Sequence, residues 1–133
     1  ETGLIIGAGD PLPHRPPPSG WEAFFGAGYA PALDRLSYIA RAITPPFRPM
    51  RFDARFFMVG EADVVGDLEG SGELEKLDWI PIRETRDFEL ANVTRRVLEH
   101  AEDLMREQPP PSARTKIPYF KHAGGERHVR VYQ

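Results

Sequence analysis

Four arginines in the middle of the chain are the residues best suited to bind an anion: Arg41, Arg48, Arg51 and Arg55. They lie along two predicted strands and the connection between them. A guanidinium group donates two parallel hydrogen bonds in the geometry that a phosphate group accepts, so Arg48 or Arg51 is a candidate phosphate ligand. The structural alternative is an ion pair within the protein, such as Arg55 with Asp53, and the sequence leaves both open.

The side chains that commonly hold metal ions show no ligand spacing. The chain contains no cysteine, which excludes disulfides, zinc–thiolate sites, iron–sulfur clusters and thiol nucleophiles. Of the four histidines, His100 lies in a predicted helix, whereas His14, His122 and His128 lie in predicted loops or the tail. We therefore expect no shared histidine site, and any metal ion would be bound by oxygen or imidazole ligands.

The composition is that of a folded chain. The 133 residues are 41% hydrophobic and 28% charged, and they suffice for one domain at most. The net charge of −3 argues against electrostatic binding to nucleic acid or to an anionic membrane.

No apolar run approaches the roughly 20 residues that span a bilayer, so we expect a cytoplasmic protein. The first residue is Glu1 rather than Met, and we expect the natural start to lie upstream.

Two strands are predicted around the arginines. The segments 36–43 and 51–59 are rich in β-branched and aromatic residues. The connection 46–49 between them is short, so we expect the strands to be antiparallel neighbours. Alternation in the second strand places Phe52, Ala54, Phe56 and Met58 on one face and Asp53, Arg55, Phe57 and Val59 on the other. Because apolar residues occur on both faces near its end, this strand is expected to be covered on both sides.

The clearest predicted helix begins with Asn92 as its N-cap and ends before the prolines 109–111. Its apolar stripe consists of Val93, Val97, Leu98, Ala101, Leu104 and Met105. A shorter helix is predicted over 21–29, with Ser19 as its cap. The aromatic residues of that segment form either core, which we favour, or a wall over a substrate pocket: Trp21, Phe24, Phe25 and Tyr29.

The remaining elements are short. We predict a strand centred on Trp79–Ile80 and limited by Pro81, a helical turn over 83–88, and two extended segments in the tail 116–131 around a Gly124–Gly125 turn. Three strands followed by a helix, without regular strand–helix alternation, predict an α+β sandwich with a mixed sheet.

The first residues, Glu1-Thr2-Gly3-Leu4, resemble the end of the Nudix box. The second half of that box reads Arg-Glu-U-x-Glu-Glu-x-Gly-U, where U is a bulky aliphatic residue. The rest of the chain is similar to the C-terminal two-thirds of bacterial Nudix hydrolases. The similarity lies in the order of its elements: a strand ending at 42–46, a strand over 51–57, an acidic stretch before Trp79 and a helix after it. The resemblance covers essentially the whole chain.

This resemblance implies a Nudix-type α/β/α sandwich over 1–133, a single domain whose N-terminal strands and most of whose Nudix helix are missing. It implies cleavage of the diphosphate linkage of a nucleoside diphosphate derivative by an activated water, with Mg²⁺ or Mn²⁺ as the cofactor. Glu1 would be one metal ligand. The Arg and the other glutamates of the box would lie upstream, so this polypeptide by itself is expected to have little activity.

The resemblance also implies roles for residues further along the chain. Glu73 or Glu75, before the predicted Trp79 strand, would be the general base or an extra ligand, and Glu73, beside the 70–72 turn, is the residue we choose. The alternative for both is an acidic, solvated loop shared with Asp67 and Glu69. On this interpretation, Arg48 or Arg51, selected above for the geometry of the guanidinium group, would bind the diphosphate of the substrate.

A different function class stays open on the sequence. The chain would then be a non-catalytic Nudix-like module, or another α+β module, that binds a ligand or partner. The proline runs 16–18 and 109–111 are able to adopt polyproline II, although loops and helix ends explain both. The sequence does not separate coenzyme A, ADP-ribose, NADH and dinucleoside polyphosphate substrates, and the resemblance is compatible with a homodimer.

Overall fold

The computed structural model describes residues 2–9, 19–44, 46–70, 72, 74, 76–108, 117–123 and 126–132, with side chains as far as Lys121. The chain divides into two compact units, Glu1–Ser37 with Val59–Trp79, and Tyr38–Met58 with Ile80–Gln133. The assignment of 1–133 to one domain stays a prediction. Within the described part, no helix is both long and apolar enough to cross a bilayer.

The first unit contains a two-stranded sheet and a short helix. Strand β1 (Gly7–Ala8) pairs antiparallel with β2 (Ala30–Pro31), and α1 (Glu22–Gly26) precedes β2. The start of the chain is tied to the later part of this unit by two hydrogen bonds between the backbones of Ile5 and Val65, at 2.8 and 2.9 Å.

The helix predicted over 21–29 is present but shorter, and the prediction that Ser19 caps it is wrong. Trp21 occupies the cap position, and no side chain there bonds to the backbone of α1. Two nearby glycines, Gly26 and Gly28, limit the helix because glycine is a poor helix former. The four aromatic side chains of 21–29 are half-buried, with the Trp21 and Phe24 rings edge to face at 5.4 Å.

The second unit is built on a four-stranded mixed sheet. Strands β3 (Ser37–Ile43), β4 (Asp53–Met58), β5 (Ile117–Ala123) and β6 (Glu126–Tyr132) lie in the order β4-β3-β5-β6. Strand β5 is parallel to β3 and antiparallel to β6. The predictions that β3 and β4 are neighbours and that the tail forms two extended segments are confirmed, as is the α+β class with a mixed sheet. The predicted Gly124–Gly125 turn lies outside the described residues.

One long helix packs on this sheet. Helix α2 spans Asn92–Glu107 and buries Val97 and Ala101, which form the core cluster with Ile39 and the fully buried Ala40. The predicted stripe therefore faces the core in its middle, although Met105 at its end is exposed. A 3₁₀ helix, Ile82–Asp87, precedes α2 and confirms the predicted helical turn.

The start of α2 differs from the prediction that Asn92 caps it. Asn92 is its first helical residue, the cap position is Ala91, and no side chain bonds to the helix start there. At the other end, Gln108 adopts the left-handed conformation and donates its backbone N–H to the Leu104 carbonyl. The helix therefore ends at a left-handed residue, while the prolines 109–111 lie outside the described residues.

Two predictions about apolar residues are also wrong. Trp79 and Ile80 form no strand and are exposed, because Pro81 offers no N–H for a strand ladder and the 3₁₀ helix begins directly after it. Strand β4 is not covered on both faces: Ala54, Phe56 and Met58 are half-buried, whereas Phe57 is exposed and contacts the Tyr38 ring at 5.3 Å.

Candidate functional site

The end of β3, the start of β4 and the connection between them concentrate positive charge within the second unit. We call this the cationic end, defined by Arg41, Arg48, Arg51, Arg55 and Lys121. The register of β3 and β5 pairs Arg41 with Tyr119 and Ile43 with Lys121, and Lys121 lies on the same strand face as Tyr119 because they are two residues apart. In the segments 41–55 and 117–121 the single acidic residue is Asp53.

Arg41 and Asp53 form the organised centre of this region. The Arg41 Nε donates to the Asp53 Oδ1 at 2.6 Å and its Nη2 donates to Oδ2 at 2.5 Å. This is the bidentate geometry in which a guanidinium also binds a phosphate. The Arg41 guanidinium carbon lies 5.6 Å from the centre of the Tyr119 ring, within the range of a cation–π contact. Both members of the pair remain partly accessible to solvent.

The charge around Asp53 keeps it ionised. The hydrogen bond from Arg41 is the main cause that lowers the pKa of Asp53 below its ordinary value of 3.8, against a smaller opposing effect of burial. The charges of Arg41 and Arg55 lower this pKa further. The sequence suggested Arg55 as the partner of Asp53. The structure instead places Arg41 there and keeps Arg55 as a nearby second cation.

Arg48 and Arg51, the predicted phosphate ligands, lie on the β3–β4 connection with exposed side chains. Neither makes an ion pair or hydrogen bond with the part of the chain that the structure describes. Two hydrogen bonds of 2.9 Å close the base of the connection: Thr44 donates its N–H to the Phe52 carbonyl, and Phe52 donates its N–H to the Thr44 hydroxyl oxygen. Both arginines are therefore presented to solvent from a fixed base.

The predicted acidic site residues lie at the first position of the chain and in the acidic stretch before Trp79. Glu1, predicted as a metal ligand, lies outside the described residues. So do Glu73 and Glu75, the candidates for the general base or an extra ligand, of which we prefer Glu73. The residue after Glu1 is described: the Thr2 carbonyl accepts a hydrogen bond from the Glu69 N–H at 3.0 Å. The start of the chain therefore lies against the acidic loop in the first unit.

Gly3 is held at that contact in a conformation that requires glycine. Its φ is +74°, and a Cβ built on it would collide with the carbonyl oxygen of Asp67 and stand 3.1 Å from the Glu69 nitrogen. Residues with a side chain rarely adopt such a φ, and no space exists for a side chain here.

Among the described residues, no group of three or more His, Cys, Asp or Glu side chains is arranged to hold a metal ion. These residues therefore do not by themselves fit the Mg²⁺ that the Nudix resemblance implies. The chemistry that the described residues support is anion binding at the cationic end.

A groove of about 240 Å³ lies elsewhere in the second unit, between the 3₁₀ helix and α2. Arg86 donates to Glu102 at 2.8 Å, which raises the pKa of Arg86. Arg95 donates to the carbonyl oxygens of Arg86 and Phe88, each at 3.1 Å. The two arginines that line this groove are bound by groups of the protein. The residues that line it include none of the predicted site residues.

The sequence pattern identified the arginines but missed Tyr119 and Lys121, which enter through the parallel pairing of β5 with β3. No local pattern in the sequence reports a pairing between segments so far apart. In comparisons with known proteins, no family model, no curated protein and no solved structure matches this chain.

Proposed function

We propose that this chain is the diphosphate-binding part of a Nudix pyrophosphohydrolase with an α/β/α sandwich fold, which cleaves the diphosphate linkage of a nucleoside diphosphate derivative. The observation that carries the proposal is the cationic end: five basic residues with Asp53 as the single acid in their segments, on a chain whose net charge is −3. A local concentration of positive charge attracts anionic ligands even when the net charge of the protein is negative.

The arginines divide the binding between them. Arg48 and Arg51 are exposed and carry no internal partner among the described residues, so both forks can donate to phosphate oxygens at little cost. Arg41 is fixed by Asp53 and Tyr119. Together with Arg55 and Lys121, Arg41 adds positive charge at the base of the connection. Its contacts also hold together the strands from which the connection with the exposed arginines extends.

The Nudix resemblance supports the hydrolytic part of the proposal. The glycine of the Nudix motif aligns with Gly3. Gly3 has a left-handed backbone conformation and no space for a side chain, so a motif that covers this position would require glycine there. Glu1 as a ligand, Glu73 as the base and Mg²⁺ as the cofactor remain parts of the proposal that rest on the resemblance alone.

The test is hydrolysis by the complete gene product. ADP-ribose, NADH, coenzyme A and a dinucleoside polyphosphate are each incubated with about 5 mM Mg²⁺, enough to fill a weak carboxylate site, and in parallel with EDTA. We expect a phosphorylated product from at least one substrate, loss of product with EDTA, and loss in the Glu73→Gln variant. Binding of these compounds without hydrolysis in Mg²⁺ or Mn²⁺ would instead establish a non-catalytic binding module.

A further inference from the structure

Strand β4 is an edge of the sheet in the second unit. It lies beside β3, and the structure describes no strand on its other side, which we call the outer edge. Among the described residues, no loop makes a backbone hydrogen bond with residues 53–58. Proteins often protect such an edge with proline, lysine or a bulge. Residues 53–58 contain no proline or lysine, and their regular alternation of burial indicates no bulge, so the outer edge is open to pairing with another strand.

The hydrogen bonds at the start of β4 determine which of its residues direct their peptide groups to the outer edge. Phe52 both donates its N–H to Thr44 and accepts a hydrogen bond from it, so the backbone of Phe52 is directed at β3. This direction alternates along a strand. The even-numbered residues of β4 are therefore directed at β3, whereas the odd-numbered ones present N–H and C=O groups at the outer edge: Asp53, Arg55 and Phe57.

Two of these residues carry side chains that attract each other. Arg55 is exposed and makes no ion pair with the described part of the chain. Phe57 is 51% exposed, although it contacts Tyr38. If two β4 strands pair antiparallel about a twofold axis through Phe56, Arg55 of each copy lies opposite Phe57 of the other. A guanidinium group is attracted to an aromatic ring, and the symmetry forms this contact twice.

Other registers fit this strand less well. An axis between two residues sets a peptide group directed at the outer edge against one directed at β3. An axis through Arg55 pairs residues 53–57, and one through Phe56 pairs 54–58, whereas an axis through any other residue pairs a shorter stretch of β4. The Arg55 axis places two like charges directly opposite each other, which is repulsive. The Phe56 axis avoids this repulsion and also brings Ala54 opposite Met58, so apolar side chains meet on the second face.

We propose that β4 pairs with β4 of a second copy of this chain, antiparallel about a twofold axis at Phe56. The contact joins two four-stranded sheets into one, with Arg55 of each copy against Phe57 of the other. The two β3–β4 connections then extend from opposite ends of the paired strands. This interface is therefore separate from the proposed binding of diphosphate and goes beyond it.

Sedimentation velocity of the 133-residue chain over a concentration series measures the dissociation constant of the dimer. Phe57→Lys sets a lysine against Arg55 of the other copy and should weaken the dimer at least about tenfold, because the symmetry applies the change twice. Arg55→Glu/Phe57→Lys makes the opposed charges attractive and should restore affinity to within about threefold of the wild type. Phe88→Lys, at another exposed phenylalanine of the second unit, is the control and should leave the dimer unchanged.

A single introduced cysteine tests the register, because the chain contains none. Phe56→Cys places two thiols at the axis, where opposed Cα atoms are about 4.5 Å apart and within reach of a disulfide, so mild oxidation should give a covalent dimer. Ala54→Cys should not, because Ala54 lies opposite Met58.

Three results would overturn the proposal: a monomeric wild type at every concentration, a dimer that Phe57→Lys does not weaken, or a disulfide in Ala54→Cys and none in Phe56→Cys. Residues 55 and 57 are exposed, so their variants test the interface even if Phe56→Cys, which loses a ring packed against the core, does not fold.

Discussion

Arg41 binds Asp53 through two nitrogens, with Nε–Oδ1 and Nη2–Oδ2 distances of 2.6 and 2.5 Å, while its guanidinium lies over Tyr119. This pair joins three strands of the sheet: β3, β4 and β5. It stands at the base of the connection that carries the two exposed arginines. The pair therefore connects strands of the second unit directly beside the candidate site.

The first prediction concerns the pH dependence of that pair. The pKa of Asp53 is lowered in the folded protein, so its contribution to stability is present above the unfolded pKa, near 3.8, and is lost as pH falls through the folded value. We expect the difference in unfolding free energy between wild type and Asp53→Asn to be constant above about pH 5 and to shrink below about pH 4. Urea unfolding from about pH 2 to about pH 7 measures it.

A double-mutant cycle identifies the cause. In the Arg41→Ala background most of this pH dependence should disappear, because the Arg41 hydrogen bond is the largest cause of the lowered pKa. If the same pH dependence persists without Arg41, this ion pair does not control the ionisation of Asp53.

The second prediction concerns the core under α2. Val97 is buried in one cluster with Ala40 and Ala101, so Val97→Ala removes buried methyl groups and leaves a cavity. We expect a loss of about 1–3 kcal/mol in unfolding free energy. Met105→Ala on the same helix removes an exposed side chain and should change stability by less than about 0.5 kcal/mol. Equal effects of the two variants would contradict this packing.

The third prediction concerns Gly3. Gly3→Ala must place a Cβ against the Asp67 carbonyl at a φ of +74°, so we expect local opening of the first unit, measured as faster hydrogen exchange of the Glu69 and Val65 amides. Gly28 also has a positive φ, +83°, but has nothing within 4 Å of its built Cβ. Gly28→Ala should therefore leave exchange at those two amides unchanged, which separates the collision from the cost of the backbone conformation.

The fourth prediction concerns Arg95. This side chain donates to two backbone carbonyls of the segment before α2, and Arg95→Ala should cost about 1–2 kcal/mol of unfolding free energy, the usual contribution of a small number of hydrogen bonds. Arg96→Ala, at the exposed neighbouring position, is the matched control. A loss of similar size in both variants would show that helix propensity or net charge causes the effect.

Several elements could be predicted from the sequence, and others could not. Local patterns were sufficient for β3, β4 and α2, because alternation and helical spacing are properties of contiguous residues. They failed at Trp79–Ile80, an apolar pair with strand propensity. Pro81 and the 3₁₀ helix follow this pair directly, and it has no strand partner among the described residues. Tertiary context decided that segment.

For the site, the sequence identified residue types that bind phosphate but not their partners. Arg41 and Arg55 lie on the same strand pair and either was able to bind Asp53. The structure pairs Arg41 with Asp53, and Arg41 also lies over Tyr119 on β5, far along the chain. A local sequence pattern contains no information about long-range contacts of this kind. The exposure of Arg48 and Arg51 could be predicted, because both lie on a proline-containing connection between strands.

The most direct test of the cationic end is pyrophosphate binding by the 133-residue chain, measured calorimetrically at low salt. Arg48→Ala/Arg51→Ala is compared with Arg83→Ala/Arg106→Ala, which removes the same charge from exposed positions elsewhere in the second unit. We predict at least about a tenfold loss of affinity in the first variant and less than about twofold in the second. Equal losses in the two variants, or none, would contradict the assignment of the diphosphate to Arg48 and Arg51.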